Sequence, residues 1–193
     1  MDQEALHHLI VRNVGLSEQH FESFLSIRQT RTLAKKELLV KEGSICNMIG
    51  FIHSGLMRSF VRGDGEEHNT DFYFDGYLVS AYSSMVTQLP SDHLIEALTE
   101  TQLSYISLDD YNNLVSNDIA WLQFGKYVAE FFLIRKCKRE IALLKLSAAE
   151  RLEDMRKTYP GIEQLISQYH IASYLGIKPQ SLSRLKFNDT LGS

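Results

Sequence analysis

Residues 166–186, ISQYHIASYLGIKPQSLSRLK, hold the pattern that decides how this chain is read. Ser167 stands where a helix would start, and its hydroxyl can take up the unpaired amide groups of a first turn. Ile171, Ala172 and Leu175 follow at the spacing of one helical face. Gly176 then falls where the chain must turn with φ > 0, at little cost for glycine. Pro179 suits the first turn of a second helix, where its missing N–H is no loss. Leu182 and Leu185 turn that helix back onto the first, and small Ala172 lets the two cross closely. Left outward are Lys178, Gln180, Ser181, Ser183, Arg184 and Lys186. This is the layout of a helix-turn-helix, and the outward residue types suit a major groove. Glutamine pairs with adenine, arginine with guanine, and serine with either a base or a phosphate. Short helix pairs around a glycine also occur in helical domains with no DNA role.

The chain has 193 residues, enough for a sizeable core and one or two domains. No apolar run approaches the ~20 residues of a membrane span, so no membrane partner is expected. The N-terminal MDQEALHHLIVRN lacks the basic start and apolar core of a signal peptide. Cys46 and Cys137 lie far apart and form no metal-ligand pair. A cytoplasmic protein with reduced thiols and no metal is the expectation. The net charge of −4 argues against a protein that coats nucleic acid, but allows a small basic surface on an acidic body. The RKCKR run of Arg135–Arg139 reads as a solvated helix face.

Three regions follow one another. Leu6, Leu9 and Ile10, then Ser17 with Phe21, Phe24 and Leu25, predict two N-terminal helices. From about Thr30 short apolar stretches alternate with turn residues. Leu38–Val40, Met48–His53, Leu56–Arg62, Thr70–Phe74, His93–Leu98 and Leu103–Leu108 read as strands, with a hairpin at Gly63-Asp64-Gly65. Turns this regular indicate a sandwich or closed roll. Asp109–Val115 reads as a short helix and Asp118–Lys145 as a long one. The long helix has apolar residues on more than one face, and Phe124, Tyr127, Phe131 and Ile134 predict a seam for a second copy. Ser147 and Glu150 form a capping box for a helix running to Thr158. The expected domains are a sensor roll at 1–116, a dimerisation helix at 117–146 and a helix-turn-helix domain at 147–193.

This order of elements resembles the cyclic-AMP receptor/fumarate-nitrate regulator (Crp/Fnr) superfamily of bacterial transcription factors over nearly the whole chain. Its landmarks are Lys41-Glu42-Gly43, Phe51-Ile52, Ser54-Gly55, Phe74-Asp75-Gly76, the RLEDM of Arg151–Met155 and the helix-turn-helix from Ser167 to Lys186. IASYLGIKPQSLSR looks like the branch common in Bacteroidetes. The resemblance implies an α+β fold: a jelly-roll, cyclic-nucleotide-binding-like sensor, a long dimerisation helix and a C-terminal winged helix-turn-helix. It also implies a homodimer on near-palindromic double-stranded DNA, with RNA polymerase as a further partner and a small-molecule effector. Arg184 falls where the family's recognition arginine reads guanine, and Gln180 where a glutamate is common. Lys178, Ser181, Ser183, Lys186 and the capping Ser167 complete the expected DNA surface. Residues 188–193 are too few for a full wing hairpin, so a second wing is not expected.

The pocket departs from the pattern. The family's nucleotide binders follow a glycine with a glutamate for the ribose, and later place an arginine and a small hydroxyl on the cyclic phosphate. Here Gly76 is followed by Tyr77 and Leu78, Ser91 stands about where the arginine would be, and Asp92 beside it would repel a phosphate. No arginine lies between Arg62 and Arg135. Cyclic AMP is therefore not the expected ligand, and no cofactor is expected. Two cysteines are too few for a four-cysteine iron–sulfur cluster. The competing reading is a ligand- or protein-binding module whose helical tail docks a protein. An enzyme has no support, since no phosphate loop, HExxH or nucleophile elbow is present.

Overall fold

Capping side chains set where several helices of this chain begin. The computed structural model describes residues 3–191, with side-chain surroundings through Phe187. Helix α1 (Glu4–His7) runs straight into a π-helical stretch, His8–Asn13, and together they bury Leu6, Leu9 and Ile10. Helix α2 (Glu18–Ile27) starts at Ser17, whose hydroxyl accepts from the His20 N–H while the His20 ring accepts from the Ser17 N–H. The capping box is thus closed by histidine in place of the usual glutamate.

Eight strands follow among the described residues: β1 (Gln29–Leu33), β2 (Leu38–Val40), β3 (Met48–Ser54), β4 (Met57–Gly63), β5 (Glu66–Tyr73), β6 (Leu78–Val79), β7 (Leu94–Ala97) and β8 (Thr101–Ser107). They form two four-stranded sheets, ordered β1-β8-β3-β6 and β2-β7-β4-β5. In the first sheet β8 is central. It pairs antiparallel with β1 from Gln29↔Tyr105 to Leu33↔Thr101, and with β3 from Met48↔Ser107 to Ser54↔Gln102. Asp64 and Gly65 both have positive φ, 52° and 77°, as a tight two-residue hairpin requires. Strand β6 and a short helix α3 (Tyr82–Thr87) were not expected from the sequence; both are too short to display a period.

Helix α4 (Leu108–Asn117) is capped by Ser107 with Asp110 reaching back. Asp118 does not start the long helix. Its carboxylate accepts from the Ala120 N–H and caps a 3₁₀ turn, Ile119–Trp121, so helix α5 covers Leu122–Lys145. That backbone bond, helped by one from His20, holds the Asp118 carboxyl below its ordinary value. Gly125 breaks the apolar pattern of α5 for a packing reason. A Cβ there would lie 2.0 Å from the Tyr111 hydroxyl oxygen, so with any other residue the Tyr111 side chain would have to move. Among the described residues four more helices follow: α6 (Ala148–Thr158), α7 (Ile162–Leu165), α8 (Gln168–Leu175) and α9 (Pro179–Leu191).

The chain divides into two compact units, Met1–Ser59 with Phe72–Leu133, and Phe60–Asp71 with Ile134–Ser193. This division differs from the one read from the sequence: it falls inside α5, and the β4–β5 hairpin belongs with the C-terminal helices. The core of the first unit draws Leu33, Phe51, Ile52, Leu103 and Ile106 from one sheet, and Val40, Met57, Ile95 and Ala97 from the other. Trp121, Phe124 and Val128 join it from the helical segment. Truncating a buried aromatic such as Phe124 to alanine would cost about 3–5 kcal/mol.

Candidate nucleic-acid interface

The helix-turn-helix is built by its caps and its glycine. Ser167 caps α8 by accepting from the His170 N–H at 3.3 Å. Gly176 ends α8 in the left-handed region at φ 68°, and the Ile177 N–H returns to the Ala172 carbonyl at 3.0 Å. The Ser181 and Leu182 N–H groups both donate to the Lys178 carbonyl, which starts α9. Ile171, Ala172, Leu175 and Leu182 are fully buried. With the hydrophobic positions turned in, Lys178, Gln180, Ser181, Ser183 and Arg184 are all exposed. Gln180 and Arg184, four residues apart, share one helical face. Among the described residues neither they nor Lys178 forms an ion pair or side-chain hydrogen bond.

Lys186 is placed differently from the sequence reading. It is half-buried, and its Nζ lies 2.5 Å from Glu163 Oε1. Glu163 also accepts from Arg156 Nε at 2.7 Å, and Arg156 reaches Glu153 as well. Burial pushes the Glu163 carboxyl up, but the Arg156 and Lys186 bonds outweigh it and hold it below its ordinary value. Lys186 thus ties the middle of α9 to α7 and α6 through Glu163. Sequence spacing gave no sign of Glu163, which lies more than twenty residues from its lysine.

A second polar cluster lies behind α8, within the same unit. Asp71 of β5 accepts from Arg135 Nε at 3.1 Å and Nη2 at 2.5 Å, and from the Tyr159 hydroxyl at 2.7 Å. Arg135 Nη2 also donates to the Tyr159 oxygen at 2.9 Å. The Tyr159 ring meets Tyr174 edge-on, with centroids 6.0 Å apart, and the Arg139 guanidinium lies 3.8 Å from the Tyr174 centroid. Arg139 donates to the Tyr174 carbonyl, and burial pulls its pKa down. Burial, then the Asp71 charge, pushes the Tyr159 phenol far up, so it stays a donor. Beside this cluster, buried Asn69 donates its N–H to Ser173 Oγ at 2.9 Å and its amide to the His170 carbonyl at 3.2 Å. Arg151 donates to the Leu175 and Leu146 carbonyls. The RKCKR run is therefore not one solvated face: Arg135 and Arg139 turn into unit two, while Lys136, Cys137 and Lys138 face solvent.

The chain matches the family model for the cyclic nucleotide-binding domain over residues 30–118. It is 25% identical over 189 residues to the anaerobic regulatory protein of Haemophilus influenzae, covering 88% of this chain and 70% of that one. The chain thus carries a cyclic nucleotide-binding domain and is similar to regulators of the Crp/Fnr type over most of its length. Solved structures with the same fold include FixK2 of Bradyrhizobium japonicum, with TM-score 0.70, 17% identity and 86% of each chain covered. Another is the c-di-GMP responsive global regulator CLP of Xanthomonas campestris, with TM-score 0.70, 15% identity, and 91% of this chain and 93% of that one covered.

The five residues expected at the pocket differ in burial and in partners. Gly76 is an exposed turn glycine at φ 80°, and Tyr77 packs edge-on against Phe74 and Phe131. Leu78 is buried in the core. Ser91 is buried too, but its hydroxyl is engaged with the His93 backbone, while Asp92 is exposed. Tyr82 stacks on Phe132 at 5.0 Å. Clefts of about 220 and 190 Å³ lie elsewhere, sharing Arg31, and none of the five residues lines them. The sequence reading missed one buried charge in this unit: Arg58, paired with Glu96 at 2.7 Å. Among the described residues no three His, Cys, Asp or Glu side chains gather as a metal set.

The expected seam is also revised. Phe124 is buried against Phe24, Trp121 and Tyr111, and Tyr127 and Phe131 pack on the same core. These aromatics face inward because the start of α5 covers the core of the first unit. Ile134 alone of the four is exposed, and it begins a different stripe with Cys137, Ile141 and Leu144 at steps of three, four and three. Ile134, Ile141 and Leu144 are 52%, 54% and 79% exposed.

Proposed function

We propose that this regulator is a homodimer that reads a near-palindromic double-stranded DNA site, with one α9 in each of two successive major grooves. The observation that carries the reading is the outward face of α9. Gln180, Ser181, Ser183 and Arg184 stand exposed on a helix held by Leu182, by the Gly176 turn and by the Lys186–Glu163 pair. Arg184 reads guanine and Gln180 adenine; Lys178 and Ser167 hold phosphates at the ends of α9 and α8. A stripe of Ile134, Cys137, Ile141 and Leu144 has heptad spacing and supports a parallel pairing with the same helix of a second copy.

Cyclic AMP is not its ligand. The segment that would hold a cyclic phosphate offers no arginine, and Asp92 is its exposed charge. A small-molecule effector of another class, RNA polymerase as a partner, and a cytoplasmic location complete the proposal; no helix among the described residues is long and apolar enough to cross a membrane.

Selection of bound sequences from random double-stranded DNA tests the reading. An inverted repeat is the expected product. No enrichment, with affinity that barely changes with salt, would instead identify a tail that docks a protein.

A further inference from the structure

Within the second unit, the half of α5 that carries the Ile134–Leu144 stripe and the helices that carry α9 are joined through one carboxylate. Asp71 takes two bonds from Arg135 of α5 and one from Tyr159, at the C-terminal end of α6. Arg135 and Asp71 are only 17% and 19% exposed at their side chains, and Tyr159 is 3% exposed overall. α5 is also joined to α8, by Arg139 on Tyr174, whose ring meets Tyr159 edge-on. A half-buried, bidentate charge pair has one good geometry, so it fixes an angle in a way that apolar packing does not.

We propose that Asp71 is a positioning residue that sets the distance between the two DNA half-sites. The inference rests on the DNA-reading homodimer proposed above. The stripe on α5 meets its copy at the two-fold axis, and α9 lies in the groove. The Asp71–Arg135–Tyr159 node fixes one relative to the other, so it fixes how far apart and at what rotation the two α9 helices stand. One base pair added between half-sites moves the second by about 3.4 Å and turns it by about 34°. Heads held by this node cannot follow that turn without breaking its bonds. Asp71 itself touches no DNA, so half-site sequence preference does not depend on it.

The test uses the full-length dimer and inverted repeats built from the selected half-site, with the central gap shortened or lengthened by one and two base pairs. Wild type is expected to lose about tenfold in affinity or more when the gap is wrong. In Asp71→Asn the best-to-worst ratio across gaps should shrink several-fold, while base preferences within a half-site and the salt slope stay as in wild type. Tyr159→Phe keeps the ring and removes the hydroxyl's bonds to Asp71 and Arg135 while leaving the Asp71–Arg135 pair; it should shift the ratio the same way by less, and it decides the matter if Asp71→Asn does not fold. A gap profile unchanged in both variants, or affinity reduced equally at every gap, overturns the inference. Failure of wild type to select any inverted repeat would overturn the dimer reading instead.

Discussion

The Lys186 ammonium lies 2.5 Å from the Glu163 carboxylate, so the helix expected to read DNA is anchored by one of its own basic residues. A lysine that looks like a phosphate contact in the sequence is held on the protein side. The basic groups left to the groove are Lys178 and Arg184.

Salt dependence separates these lysines. Lys178→Ala should weaken binding on all sequences and reduce the slope of log affinity against log salt by about one. Lys186→Ala should lower thermal stability and leave the slope unchanged. Equal slope changes in both variants would place Lys186 on a phosphate after all.

Arg184→Ala should cost about 1–3 kcal/mol of specific binding and relax preference at a single base position. Competition between selected and random DNA is the measurement. Equal loss on both kinds of DNA would remove its base-reading role.

Glu163 gives the protein a dependence on acid. Its folded pKa lies below the ordinary value, so its pairing stabilises the fold above the unfolded pKa and is lost as pH falls through the folded one. Glu163→Gln should therefore melt below wild type near neutral pH, and the gap should close as pH drops below about 4. Parallel melting curves across that range would contradict the assignment.

Cys137 is exposed within the proposed seam, whereas Cys46 is buried at 3% exposure. Facing copies of a central seam residue meet at the two-fold axis. A short thiol-to-thiol cross-linker should thus join two chains through Cys137, and Cys137→Ser should abolish the product. Leu144→Asp should abolish it by separating the helices. Cross-linking that persists in Cys137→Ser would move the interface elsewhere.

Cyclic AMP should leave the melting temperature unchanged at concentrations far above those typical of its binders. Saturable stabilisation would show that another group supplies the phosphate clamp.

The sequence was most legible where structure is local. Ser147 with Glu150, Ser167, Gly176 and Gly63-Asp64-Gly65 each set a cap or turn within a few residues, and the helix starts and hairpin follow from them. The outward face of α9 was legible for the same reason, since one helical period fixes it. Periodicity could not tell which surface an apolar face meets. Phe124, Tyr127 and Phe131 have seam spacing, yet they cover the roll, while Ile141 and Leu144 do not. Pairings across the chain left no local trace either. Asp71 meets Arg135 and Tyr159 only after a strand, a roll and a long helix have folded.

The glycine at position 125 leaves room for the Tyr111 hydroxyl and for nothing larger. A side chain at this position would meet that ring, so the register of α5 against α4 is keyed at a single residue.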